Sequence, residues 1–568
     1  MKKLKIVIPA LIILLTLIYY MFLRSGVTDA DLLFVNGVVY TVNDRFPVAE
    51  AVAVTEGRIA GVGTAAEIQR KFRFKQVIDL KGRPLFPGFI DSHAHLEGLG
   101  SYLLNLDLFG TGSVEEIRAL IRERVMDAKP GMWIRGRGWD QNKWKIKEFP
   151  TREMLDDIAN DVPVYLIRAD GHAVWVNGKV MDVAGFGAAT VEPEGGRILR
   201  DARGEPTGVF IDNARDMLDA KLPIPAEEER TEAILSAIQS FLRVGVTDVH
   251  DMGVDGEVIA IYEKLIASGR FPIRVYAAID GPGATWDHYV RTGPDVGGHG
   301  GRLTVRALKL YADGALGSRG AALIEPYSDD PANRGLTLTG HDSILHLGEQ
   351  ALEKGFQLCV HAIGDRANHI ALNVFDELSR LHPDKAADAR FRVEHAQVIS
   401  LADIPRFARV SVLPMMQPIH CTSDMPWAEQ RLGPERIKGA YAWRSLIDSG
   451  SIIPASSDSP NDNSNPLWGF YAAITRQDAT GRPKGGWYHE QRMTREEALK
   501  AFTVWGAFAA FEETKKGTIE PGKVADLVVL SADIMKIPTA EILQTTVEMT
   551  MVGGEVVYSA GGFAVQRD

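Results

Sequence analysis

Two histidines two residues apart, His93 and His95, close the run Leu85-Phe86-Pro87-Gly88-Phe89-Ile90-Asp91-Ser92-His93-Ala94-His95. In a strand, residues at i and i+2 project to one face. Two neutral imidazoles on one face can grip one metal ion. Later apolar runs end in groups of the same kind. Val305-Arg306-Ala307-Leu308-Lys309-Leu310-Tyr311 places Lys309 inside an apolar stretch. A lone buried ammonium is costly and tends to lose its proton. The neutral amine can then react with carbon dioxide to form a carbamate, an oxygen ligand able to bridge two cations. The other reading of this lysine is a buried ion pair with Asp313. Leu358-Cys359-Val360-His361 ends in His361, Val393-Glu394-His395 in His395, and Ile452-Ile453-Pro454-Ala455-Ser456-Ser457-Asp458 in Asp458. Singly, each histidine also reads as a satisfied core residue, and Asp458 as a cap or turn residue. Together they form an ordered set that suits a metal and a moving proton.

The elements that must position these groups alternate in kind. Strand candidates are Leu85–Ile90, Trp133–Gly138, Val164–Arg168, Val246–His250, Ile273–Ala278, Val305–Tyr311, Gln357–His361, Arg392–His395, Val410–Pro414 and Ile452–Ser456. Helical patterns intervene at Val114–Ala128, Glu227–Val244 and Asp365–Leu381. Such alternation points to an α/β fold with a parallel sheet. A (β/α)8 TIM barrel over residues 87–510 fits, with an insertion at about 108–222. Chemistry in such a barrel gathers at the C-terminal strand ends. Asn36-Gly37 lies between two apolar runs, a hairpin signal. Gly553-Gly554 does the same near the other end. Neither terminal set suffices for a stable sheet alone, so segments 26–86 and 511–568 are expected to combine into one small composite β-sandwich.

The first residues differ in character. Lys2, Lys3 and Lys5 precede an apolar run from Ile6 to Leu23 whose one clearly polar residue is Thr16. Eighteen residues at about 1.5 Å each span roughly 27 Å, close to a bilayer core. Residues 1–25 therefore read as a signal anchor, a transmembrane helix with its lysines in the cytoplasm. The catalytic domain would then lie outside the cytoplasm, periplasmic or extracellular, held to the membrane by that helix. Ser25-Gly26 leaves open cleavage and a secreted product. The 568 residues carry a net charge of −11 and no long basic stripe, which disfavours a nucleic-acid partner, and none is expected. Two cysteines, Cys359 and Cys421, permit at most one disulfide and no thiolate metal cluster.

The segments Phe89–His95, Lys309-Leu310-Tyr311-Ala312-Asp313-Gly314-Ala315-Leu316-Gly317-Ser318-Arg319, Val360–Ala367, Val393–Gln397 and Ser457-Asp458-Ser459-Pro460 resemble the amidohydrolase superfamily. The branch is the family-3 amidohydrolases, which include the YtcJ-like proteins and N-substituted formamide deformylase. The resemblance covers nearly everything after residue 25. It implies a metal-dependent hydrolase acting on carbon–nitrogen bonds other than peptide bonds, on a small amide- or formamide-like substrate. It implies two divalent metal ions, zinc first, with iron, manganese or cobalt as alternatives. By motif, His93 and His95 hold one metal. Lys309, carboxylated by CO2, bridges it to a second held by His361 and His395. Asp458 contacts the first metal and handles the proton of a metal-activated hydroxide. Ala169–Asn177 also matches and assigns His172 to the substrate carbonyl. Trp139 and Asp140 are expected along the same pocket, and Arg319 at an anionic substrate group or in a salt bridge. Family members often form dimers, so a homodimer is one expected arrangement. Two other functions stay in view, a deaminase or cyclic-amide hydrolase and a catalytically inactive, membrane-tethered binding protein. Gly364, where a mononuclear deaminase places a glutamate, weighs against the first.

Overall fold

Seven parallel strands form the centre of the unit that holds residues 27–95 and 238–561, and they are buried along almost their whole length, as strands covered on both faces are. In the computed structural model, which describes residues 27–128, 131–169, 173–193, 196–223 and 225–561, they follow one another in chain order. They are Phe89–Ala94, Val246–Val254, Arg274–Asp280, Leu303–Tyr311, Gln357–Ala362, Arg392–His395 and Leu413–Met415. Helices such as Gly256–Ala267, His341–Lys354 and Asp365–Leu381 connect them. The result is a mixed α/β fold around a nearly closed parallel barrel.

The seam is filled by the segment around Ile453–Asp458. On one side Met416 N–H donates to Pro454 O (3.2 Å) and Ser456 N–H to Met416 O (3.1 Å). On the other, Ser92 N–H donates to Ala455 O (3.2 Å) and Asp458 N–H to His93 O (2.8 Å). The eighth run is thus in place, but it is no regular strand. Pro454 has no N–H to give, and the ladder shrinks to one parallel bridge, Met416 to Ala455.

Both ends of the described chain build the second layer. A six-stranded sheet runs Glu555–Ser559, Val547–Val552, Leu527–Leu530, Pro84–Pro87, Val38–Tyr40, Val48–Ala49. A four-stranded sheet runs Arg58–Gly63, Ala51–Thr55, Thr28–Val35, Phe72–Asp79. Phe34, Val52 and Ile59 of one sheet share an apolar core with Val39, Leu85, Leu527 and Met551 of the other. Gly553-Gly554 turns a hairpin, as expected. Asn36-Gly37 does not. It switches the chain between the two sheets, with Asn36 at φ 59°. Any Cβ on Gly37 would stand 2.3 Å from Arg83 O.

Leu96–Ala237 form a separate compact unit. Its six-stranded sheet runs Gly196–Arg200, Pro206–Asp212, Ala173–Val176, Val164–Arg168, Ile134–Trp139, Leu106–Asp107. Trp139, Trp144 and Trp175 fill its core beside Leu108, Ile117 and Ile121.

The expected membrane anchor is corrected. Among the described residues no helix is long and apolar enough to cross a membrane. Helices Glu227–Arg243 and Asp365–Leu381 reach 17 residues, short of a bilayer span, and both carry several charges. The expected anchor, residues 1–25, lies outside the described residues. The transmembrane helix, the membrane as partner and the placement outside the cytoplasm are therefore not retained.

Candidate metal centre

The strand ends deliver their polar groups to one cavity of about 470 Å³, lined by His93, His95, Lys309, His361, His395 and Asp458. Backbone geometry helps to gather them. Non-glycine residues with positive φ are uncommon, yet His395 (φ 72°), Ala396 (φ 43°) and Asp458 (φ 55°) all have it. Strand alternation alone would send Glu394 and His395 to opposite faces. The left-handed turn at His395 breaks that alternation at the barrel mouth. Asp91 locks the first strand to the seam by accepting the N–H groups of Ser457 (3.1 Å) and His93 (3.3 Å). Burial pushes its carboxyl up to about 7.

Asp458 sits at the middle of the cluster. Its Oδ1 lies 3.2 Å from His95 Nε2 and 3.4 Å from His93 Nε2. Its Oδ2 accepts from Asn461 Nδ2 (3.0 Å) and faces His420 Nε2 at 3.6 Å. His93, His395 and His361 follow one another, with ring centroids 4.9 and 4.5 Å apart. His395 Nδ1 is 3.1 Å from Gln417 Oε1. Burial leaves the His93 and His361 imidazoles neutral, pulled down to about 4 and about 3, and holds His395 well below its usual value. Burial also acts on His95, but the Asp458 carboxylate outweighs it and raises that group. Burial would raise Asp458; the imidazoles of His95 and His93 outweigh it and keep it a carboxylate.

Lys309 is 1% exposed. Burial lowers its pKa, and Nζ lies 5.3 Å from the Tyr311 ring centroid. The expected alternative, an ion pair with Asp313, is not formed. Asp313 instead accepts the N–H groups of Ala322 (2.8 Å), Ile363 (2.9 Å) and Gly364 (2.8 Å). The donors suit a metal on a further ground. His93 Nε2, His361 Nε2 and Asp458 Oδ1 are buried without a hydrogen-bond partner. Unpaired buried polar atoms are rare and costly. Two neutral ring nitrogens and a carboxylate oxygen lining one cavity form a donor set fit for a divalent cation. His93, His95 and Asp458 place their donor atoms within 4.8 Å of one another, as do His395, His420 and Asp458.

The remaining described candidates are placed within their own units. Trp139 is fully buried in the core of the Leu96–Ala237 unit, its indole N–H given to Leu166 O (2.8 Å). Its surface is spent on Trp144, Phe149 and Trp175, so it is a core residue of that unit. Asp140 pairs with Arg168 (2.9 Å) in the same unit. Arg319 is held bidentately by Asp329 (3.2 and 3.0 Å), the salt-bridge alternative. His172 lies outside the described residues. Sequence reasoning missed His420, which lies 3.5 Å from Asp462 as well as near Asp458. It follows the short strand Leu413–Met415 and opens a helix behind Pro418, so a search of strand ends extended by one turn would have found it.

The amidohydrolase family model matches residues 76–558. The chain belongs to the amidohydrolase family. The putative amidohydrolase YtcJ of Bacillus subtilis (strain 168) is 34% identical, over 92% of this chain and 98% of its own length. The N-substituted formamide deformylase of Arthrobacter pascens is 28% identical, over 94% and 99%. The crystal structure of an uncharacterised metal-dependent hydrolase from Pyrococcus horikoshii OT3 superposes with a TM-score of 0.76 at 27% identity, covering 89% of this chain and 99% of that one. As an amidohydrolase the chain is a metal-dependent hydrolase acting on carbon–nitrogen bonds.

Proposed function

We propose that this amidohydrolase cleaves an amide- or formamide-like bond in a small molecule, at two divalent metal ions bridged by carboxylated Lys309. His93, His95 and Asp458 would hold one ion, and His361 and His395 the other. Zinc is the first candidate, since histidine and oxygen donors suit it. When bound, such ions supply Lewis acidity toward a carbonyl and a nucleophile at neutral pH. The observation that carries the reading is the convergence of three buried atoms lacking partners, His93 Nε2, His361 Nε2 and Asp458 Oδ1. Lys309 supports the bridging role because it is buried and its amine is pushed toward neutrality. Carboxylation needs that neutral amine.

Asp458 is kept ionised and its Oδ1, set against the His95 and His93 ring nitrogens, faces the cavity, so it can accept a proton from the attacking water and return it to the departing nitrogen. Asn461 holds the other oxygen and so fixes which one moves the proton. His172 is assigned to the substrate carbonyl on its motif alone. The pocket rim adds Trp427, Leu316 and Tyr311, apolar surface for an N-substituent.

The test is metal content per chain after reconstitution with zinc and bicarbonate, followed by a panel of N-substituted formamides and simple amides. Two equivalents and release of amine plus carboxylate are expected. One equivalent with ammonia release would move the chain to deaminases. No metal after reconstitution would overturn the proposal.

A further inference from the structure

His93 has a buried partner on the side away from the cavity. Its Nδ1 lies 2.5 Å from Glu394 Oε2. Glu394 is in turn fixed by Arg392, two residues before it on the same face of strand Arg392–His395. Arg392 Nε donates to Oε1 (2.7 Å) and Nη2 to Oε2 (3.2 Å). The same guanidinium donates to Ser92 O (2.7 Å), the backbone just before His93, and sits 3.1 Å from His250 Nδ1. His93, Glu394, Arg392 and His250 are all 0% exposed.

The chemistry of this chain of contacts allows one arrangement. An arginine has no acceptor, so it can only donate to Glu394. A carboxylate paired with arginine can only accept from His93. His93 therefore carries a ring proton on Nδ1, and the ring atom that remains to meet a metal is Nε2, which has no hydrogen-bond partner. We infer that Glu394 is a positioning residue. By accepting Nδ1–H it fixes the tautomer and rotation of His93 and aims a bare Nε2 at the first metal, with Arg392 holding Glu394 in place. The metal part of this inference rests on the proposed metal centre. Among the described residues the Nδ1 of His395 meets a neutral counterpart, Gln417. The two metal positions therefore differ, the first being braced by a charge and the second by an amide.

The test uses Glu394→Gln and Glu394→Asp in the full chain. Glutamine keeps the shape and loses the charge. Aspartate keeps a charge for Arg392 and withdraws from His93, which guards against simple loss of folding. Zinc affinity is measured by chelator competition, and the ring N–H protons by low-field proton NMR on metal-free protein. Wild type is expected to show a low-field resonance from His93 that both variants lose. Outer partners of a ligating histidine are worth about 10–100-fold in metal affinity, and that loss is expected at the first metal alone. Unchanged affinity at that site, or an equal loss at both sites, would overturn the inference, as would absence of the resonance in wild type. A wild-type chain that shows the resonance yet takes up no zinc would refute the metal centre and leave the His93 tautomer standing.

Discussion

Replacing Lys309 with methionine separates its cost to the fold from its use to the site. The side chain is buried in an apolar strand, and among the described residues no carboxylate forms an ion pair with it. Burial holds its pKa below 10.5. Between that lowered value and 10.5 the unfolded chain binds a proton that the folded chain does not. Stability of the metal-free wild type therefore rises with pH through this window, by up to about 1.4 kcal/mol per unit from this group. Below the window the cost of the buried charge is fully present. Methionine fills a similar volume without a charge, so the metal-free variant should be as stable or more stable at pH 7, with that slope removed. Metal loading should behave oppositely. Outer partners of ligands are worth about 10–100-fold, so losing the proposed bridge should lower turnover by at least about 100-fold, and bicarbonate should no longer speed reconstitution. Denaturant titrations from pH 7 to 10 and metal analysis after gel filtration measure both effects. A Lys309→Met protein with two metals and full activity would refute the carbamate bridge. An unaltered pH slope would refute the buried-amine argument.

Asp526→Ala should destabilise the chain by about 3–5 kcal/mol in denaturant titration, because it strands a buried arginine. Asp526 holds Arg274 at 2.7 and 3.1 Å and also accepts Gly553 N–H at 2.7 Å, joining barrel strand to sandwich hairpin. His361→Asn should protect the metal-free chain from acid. Neutral His361 titrates at about 3 when folded and near 6.5 when unfolded, so wild type loses stability relative to the variant as pH falls from 6.5 toward 3, read as melting temperature against pH. Trp139→Ala should cost about 3–5 kcal/mol by core truncation, while KM, measured where the variant stays folded, should not move.

Much of the barrel was legible because strands such as Arg274–Asp280, Leu303–Tyr311 and Gln357–Ala362 hold apolar runs, two of which lead into Lys309 and His361. Arg392–His395 matches its expected limits, and in the separate Leu96–Ala237 unit Val164–Arg168 does the same. Legibility failed where a residue's role depends on what crosses over it. Asn36-Gly37 has hairpin composition, yet each neighbouring run finds a better partner in a different sheet. Glu394 lies inside the motif Val393–Gln397, whose sequence gives no sign of its task, since Arg392 and His93 become its partners only once the strands are side by side. Asp313 offered the charge Lys309 lacked, but three backbone N–H groups took it first.

The six-stranded sheet has a consequence for how the chain is made. Pro84–Pro87 pairs with Leu527–Leu530, and Val38–Tyr40 waits beyond it. During synthesis the ribosome must deliver more than four hundred further residues before Pro84–Pro87 gains that neighbour. Until then its open edge and the apolar face behind it are a template for any passing strand. Nascent chains stalled before Leu527 should therefore be the aggregation-prone species, and the last strands act as the latch that ends that exposure.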